Sequence, residues 1–214
     1  AESGSIDGKR ADTVAALDAM RARPEVDQDC MIVWAISAAG WYAPQAIEGR
    51  DDVCGLILVS PAGFNPTDWY SMFTRRELTA AGVTGAAQDE AVALWLALLR
   101  YEGTAERYES TRALLTRSMA QPWYATAIGV ESWEGLPATL DALLAPAALR
   151  QAWVATPAPY EWPREEANHA DYTAPYESVR QPVLLIFGDI DTLIDPVGSR
   201  AIFERAWAGR DDVT

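Results

Sequence analysis

Histidine, lysine and cysteine are nearly absent from this 214-residue sequence, which has one His169, one Lys9 and the pair Cys30 and Cys54. A zinc site built on histidine and cysteine is thereby excluded, because the C-x₂₃-C spacing has no histidine beside it. Two cysteines do not make a disulfide framework. They open strands that are consecutive in the chain, and side chains on neighbouring parallel strands rarely meet disulfide geometry, so both are expected as free thiols. Long apolar runs are missing too. Nothing approaches the ~20 residues needed to cross a bilayer, and no basic-then-apolar segment opens the chain. The sequence reads as soluble. Ala1-Glu2-Ser3 lacks an initiator methionine, so the compartment stays open between the cytoplasm and export after removal of a leader. Basic residues number 17 against 31 acidic ones, giving a net charge of −14 and a pI near 4.4. That charge repels phosphate backbones and anionic membranes, which removes nucleic acid and membrane insertion from the expected partners. Sixteen of the 17 basic residues are arginine, a bias expected of a GC-rich bacterial genome.

What is present is a chain that is 50% apolar and long enough to bury one sizeable core, with room for an inserted subdomain. From Arg10 to Arg23 the positions Ala11, Val14, Leu17 and Met20 repeat every three residues among charged ones and predict an amphipathic helix closed by Pro24. Met31 to Ile36 is a continuous apolar run too short for an ordinary helix and suited to a strand covered on both faces. It ends at Ser37. The small residues Ala38-Ala39-Gly40 then lead into a predicted helix to Ile47, and Gly55 to Val59 is a second buried strand. Strand, helix, strand implies a parallel crossover. Between Phe64 and Ala170 the pattern is helical, notably over Asp89 to Arg100 and Ala105 to Met119, and rich in tryptophan. A third apolar run, Pro182 to Phe187, is followed by the turn Gly188-Asp189-Ile190-Asp191 and a helix from Pro196. The expected organisation is α/β: a parallel sheet flanked by helices over residues 1–64, a helical cap over 65–170, and a return to the core over 171–214.

In an open parallel sheet the ligand crevice lies beyond the carboxyl ends of the strands. Ser37 and Asp191 both leave strands there. A serine between a buried strand and a helix, with small neighbours, can occupy a tight turn that exposes its hydroxyl, and the backbone N–H of Ala38 would then help to hold an oxyanion. Alternatively Ser37 caps the helix. Asp191 has its own second reading as a turn residue, and Asp189 and Asp195 are rivals for an acid role. His169, in Glu166-Ala167-Asn168-His169-Ala170-Asp171, reads as a linker histidine, with a replacement general base as the alternative. Trp95, Trp123, Trp133 and Trp153 read as core packing, with a pocket-lining role open.

The stretch from Arg21 to Asp27, followed by Ile32-Val33-Trp34-Ala35-Ile36-Ser37-Ala38-Ala39-Gly40-Trp41, resembles the approach to the nucleophile elbow of bacterial α/β-hydrolases. Gln181 to Pro196 looks like the strand and turn that carry the family's acid. Ala120-Gln121-Pro122-Trp123-Tyr124 is similar to the helical caps of esterase-like and peptidase-like members. The order of Ser37 before Asp191 agrees with the family's Ser, acid, His sequence. The elbow departs from the usual G-x-S-x-G, reading Ala35-Ile36-Ser37-Ala38-Ala39, with flanking side chains still small enough for the turn. The resemblance implies a partial α/β-hydrolase fold, and the family's early strands, its second oxyanion donor and its histidine-bearing strand have no counterpart in the sequence. It implies a serine hydrolase acting on a small-molecule ester or amide through an acyl-enzyme, with Ser37 as nucleophile and Asp191 as triad acid. No cofactor and no metal are implied. The alternative is a non-catalytic binding module.

Overall fold

A computed structural model describes residues 5–155 and 173–214. It is a mixed α/β structure in two compact units, the first made of Ala1–Trp69 and Ala167–Thr214 and the second of Tyr70–Glu166.

The first unit is built on a parallel sheet in the order β1 (Met31–Ile36), β2 (Val53–Val59), β3 (Val183–Ile186). These are the three apolar runs of the sequence, rich in the β-branched residues that suit a pleated surface. Val183 also bridges in parallel to Val213, and Thr214 exchanges hydrogen bonds with Val183 and Leu185, so 212–214 lies along the outer edge of β3. Arg210 fastens this edge by donating to the carbonyls of Val179 and Gln181 and to Asp212. Helix α1 (Ile6–Arg21) precedes β1, α2 (Ala43–Ala46) links β1 to β2, and α8 (Thr173–Glu177) and α9 (Pro196–Ala206) flank β3. Helix α1 starts four residues earlier than the apolar repeat predicts, because the Ser5 hydroxyl caps it by accepting from the Gly8 N–H at 2.8 Å.

One face of the sheet is packed. Val33, Ala35, Leu56, Leu58 and Val183 share a core with Ile6 of α1, Tyr176 of α8, Phe203 of α9, and Ile47 and Trp207 at the ends of α2 and α9. Tyr176 lies 4.7 Å from Phe203 between ring centroids, and the Trp207 indole donates to the Tyr176 carbonyl at 2.7 Å. The opposite face corrects the expectation that these strands are covered on both sides. Ile32 and Trp34 are 61% and 60% exposed, and Ile36, Leu184 and Ile186 are exposed as well. The register aligns Trp34, Ile57 and Leu184 in one row and Ile36, Val59 and Ile186 in the next. The four helices place their buried residues on the other face, and an unbroken apolar run in sequence cannot reveal that among the described residues one side has no cover. An exposed apolar patch of this kind marks an interaction surface or an aggregation liability. Trp34→Lys is therefore expected to reduce anilinonaphthalene sulfonate fluorescence and sedimentation of aggregates while changing unfolding free energy by no more than ~0.5 kcal/mol. Unchanged dye binding would contradict that reading.

Free thiols are likewise corrected, since Cys30 and Cys54 form a disulfide. Met31 pairs with Val53 but Ile32 pairs with Gly55, a register irregularity that leaves Cys54 as the additional residue on β2. The regular ladder that argued against a bond is absent at this point, and the two Cα atoms approach to 4.9 Å.

The second unit is helical. Helix α3 (Pro66–Ala80) runs into it, followed by α4 (Ala86–Thr104), α5 (Tyr108–Ser118), the short α6 (Tyr124–Ala127) and α7 (Pro146–Ala155). Helix α5 begins later than predicted because Ala105 and Arg107 adopt left-handed φ of 57° and 61°. Trp95, Trp123 and Trp133 are buried with Leu94, Leu98 and Leu115. The Trp95 indole donates to the Ser132 carbonyl at 2.8 Å and Trp123 to Glu90 at 3.0 Å. These three tryptophans are core residues, and the side chain of Trp153 lies outside the described residues. Among the described residues no helix is long and apolar enough to cross a membrane.

Candidate active site

Strand β1 is extended up to Ile36, with φ −129° and ψ 144°, and the chain then reverses at Ser37, whose φ is +55°. A residue bearing a Cβ pays on the order of 1 kcal/mol or more for that conformation and keeps it only where the surroundings impose it. The surroundings are visible. A 3-10 helix over Ser37–Trp41 starts at the serine itself, and the Ser37 carbonyl accepts the Ala62 N–H at 3.2 Å. Gly40 passes so close to the segment after β2 that a Cβ there would meet that of Pro61 at 2.9 Å. The predicted helix to Ile47 is interrupted after Trp41 because Pro44 lacks the N–H that would reach back to Gly40.

Ser37 is exposed, and among the described residues its hydroxyl has no hydrogen-bond partner. The position before the 3-10 helix belongs to Ile36 and carries no side-chain cap, so the capping role considered for Ser37 does not apply. Ala38 comes next in the first turn, where a helix offers its own N–H groups no acceptor. Burial pushes the Tyr42 phenol beyond the turn above its ordinary value, so it stays protonated at neutral pH.

Sequence reasoning gave no role to Ser60. It leaves β2 with φ +39°, and because Ile36 pairs with Val59, Ser37 and Ser60 depart from adjacent strands at the same level. Its N–H donates to the Ile186 carbonyl at 2.7 Å, tying the exit of β2 to β3. The two serines differ in the next residue of the chain. Ala38 has an N–H that could face an oxyanion, whereas Pro61 has none, so of the two serines only Ser37 has a hydroxyl followed directly by a backbone donor.

Asp191 sits beyond β3 in the turn that the sequence suggested. Its Oδ1 accepts from the N–H groups of Leu193 and Ile194 at 2.8 and 2.9 Å, which fixes the carboxylate on the turn. Asp195 caps α9 by accepting from Val197 N–H at 3.1 Å, and Asp189 is exposed. Ser37 and Asp191 therefore lie at the carboxyl edge of one parallel sheet in one unit, with β2 between their strands. Two inter-strand steps amount to roughly 10 Å. His169 lies outside the described residues.

At the amino edge of the same sheet, Arg50 donates to both oxygens of Asp52, which holds the Asp52 carboxyl below the usual range. Asp18 completes that cluster. It is an ion-pair network at the opposite end of the strands from Ser37. Among the described residues no group of three His, Cys, Asp or Glu side chains could hold a metal ion.

No family model matches the chain. No curated protein matches it either. Among solved structures, it aligns with a variant of the N-formylmaleamic acid deformylase Nfo from Pseudomonas putida at 16% identity and a TM-score of 0.40. The alignment covers 99% of this chain and 64% of the deformylase, so the chain spans less than two thirds of that protein's length.

Proposed function

We propose that this chain carries the nucleophile and acid of an α/β-hydrolase-type serine hydrolase acting on carboxylic esters, and by the same chemistry on amides. Ser37 attacks the carbonyl carbon, the Ala38 N–H stabilises the resulting oxyanion, and Asp191 orients and polarises the imidazole that takes the serine proton. The core at 1–64 and 171–214 bears these groups, with 65–170 assigned as the helical cap of such a hydrolase. The single observation that carries the reading is the left-handed, exposed Ser37 on a strand-to-helix turn closed by Gly40.

The test is reaction with a fluorophosphonate followed by mass spectrometry of the digested protein. One adduct on the peptide holding Ser37, absent in Ser37→Ala, is the expected result. An adduct on another residue, or none after prolonged exposure, would remove Ser37 as nucleophile. Turnover is a separate matter, because prolonged exposure lets even a slow single attack by Ser37 accumulate as adduct whereas catalysis needs a base in every cycle, and His169 is the sequence's sole imidazole. The chain is expected to hydrolyse nitrophenyl acetate little faster than an unrelated acidic protein. Robust turnover lost in both Ser37→Ala and His169→Ala, with the fold retained, would instead make His169 the base.

A further inference from the structure

We infer that Ser60 is a substrate-contacting residue of the same site, donating its hydroxyl to a neutral hydrogen-bonding group that lies two to three bonds from the scissile carbonyl carbon. This deepens the reading of Ser37 as nucleophile and rests on it for the position of that carbon.

The backbone of Ser60 is strained at φ +39°, a conformation in which glycine would cost less. Its N–H and the chain after it hold the turn in place, through Ile186 and through the Ala62 N–H bond to Ser37. The side chain takes no part in that. Among the described residues the Ser60 hydroxyl makes no hydrogen bond, and it is half-buried rather than sealed. A structural serine in a strained turn ordinarily uses its hydroxyl to bond the neighbouring backbone; here the group is left with its bonding capacity unused, beside the proposed nucleophile.

Register then sets the ligand's dimensions. Ser37 and Ser60 come directly after the paired residues Ile36 and Val59, on strands roughly 4.8 Å apart. A carbonyl carbon bonded to the Ser37 oxygen has its second or third neighbour over Ser60, on the side of the sheet that leads to Asp191. Charge sets the ligand's chemistry. Asp189, Asp191 and Asp195 all belong to the turn after β3, next in the sheet, and disfavour a second carboxylate there. A hydroxyl, ether or amide oxygen fits both conditions, and the site selects short polar acyl groups over plain alkyl ones.

The experiment uses two unreactive ligands of equal length, N-phenyl methoxyacetamide and N-phenyl butanamide, which differ by an ether oxygen in place of a methylene two bonds from the carbonyl. Their dissociation constants are measured by chemical-shift titration of the full chain and of its Ser60→Ala and Ser37→Ala variants. Ser60→Ala is expected to weaken the methoxy amide about 3- to 10-fold, the range of one neutral hydrogen bond, and to leave the butanamide within twofold. Comparing the two ligands within each variant cancels any loss of fold. Equal weakening of both, no change in either, or no detectable binding would overturn the role of Ser60. The nucleophile reading is scored apart, by fluorophosphonate labelling of Ser37 in Ser60→Ala. Selectivity that depends on Ser60 without labelling of Ser37 would sink the nucleophile alone.

Discussion

Arg50→Ala is expected to lower the unfolding free energy by about 3 kcal/mol, the scale on which removing one partner leaves a buried charge uncompensated. The guanidinium donates through Nε and Nη2 to the two oxygens of Asp52 at 2.9 and 2.6 Å and through Nη1 to Asp18 at 2.7 Å. Its side chain is only 14% exposed and that of Asp52 only 5%. Once Arg50 is gone, the nearest compensating charge on Asp52 is Arg21, at 3.7 Å. Arg50→Lys should recover only part of the loss, because an ammonium cannot reproduce the planar fork. The measurement is a urea midpoint at constant m-value, and a loss under 1 kcal/mol would show that the pair is not the linchpin of this edge. The pH dependence has a definite sign. Hydrogen bonding to Arg50 holds the Asp52 carboxyl below its ordinary value in the folded chain. Its stabilisation is thus complete above the unfolded value near 4 and is lost as pH falls through the lower folded one. The gap between wild type and Arg50→Ala should narrow below about pH 4 and be constant at neutral pH.

The apolar runs were sufficient to locate all three strands, because a continuous stretch bounded by turn residues admits few other structures. That Ser37 and Asp191 fall at one edge was legible for a related reason: the segments that follow parallel strands leave from the same end of the sheet. What escaped the sequence depends on contacts far along the chain. The left-handed conformation of Ser60 is held by Ile186, 126 residues further on, and nothing in Val59-Ser60-Pro61 announces it apart from a proline that bars a helix. The bare face holding Trp34 and Ile186 has the same composition as a covered one. The disulfide hinged on one irregular step between Met31 and Ile32, a detail invisible to an argument from ideal strand geometry.

Breaking the Cys30–Cys54 bond is expected to cost about 3 kcal/mol, from the loop-closure entropy regained by the unfolded chain over a sequence separation of 24. For a chain of this size that corresponds to a fall in melting temperature of about 6–12 °C. The effect should be the same for Cys54→Ser and for reduction with dithiothreitol, since Cys30 is exposed and accessible to reductant in the folded state. The bond ties the amino ends of β1 and β2, whereas Ser37 and Ser60 lie at their carboxyl ends. Reduction below the melting transition should accordingly leave the rate of fluorophosphonate labelling at Ser37 unchanged. A stability change below 1 kcal/mol would mean that the register irregularity and the surrounding core already hold the strand ends together. Labelling that collapses on reduction at a temperature where the chain remains folded would show instead that the clasp at one end of β1 governs the turn at the other. The bond also bears on where the protein works, because disulfides persist in oxidising surroundings. Chain recovered from a reducing cytoplasm should therefore melt at the lower temperature and regain the higher one after air oxidation.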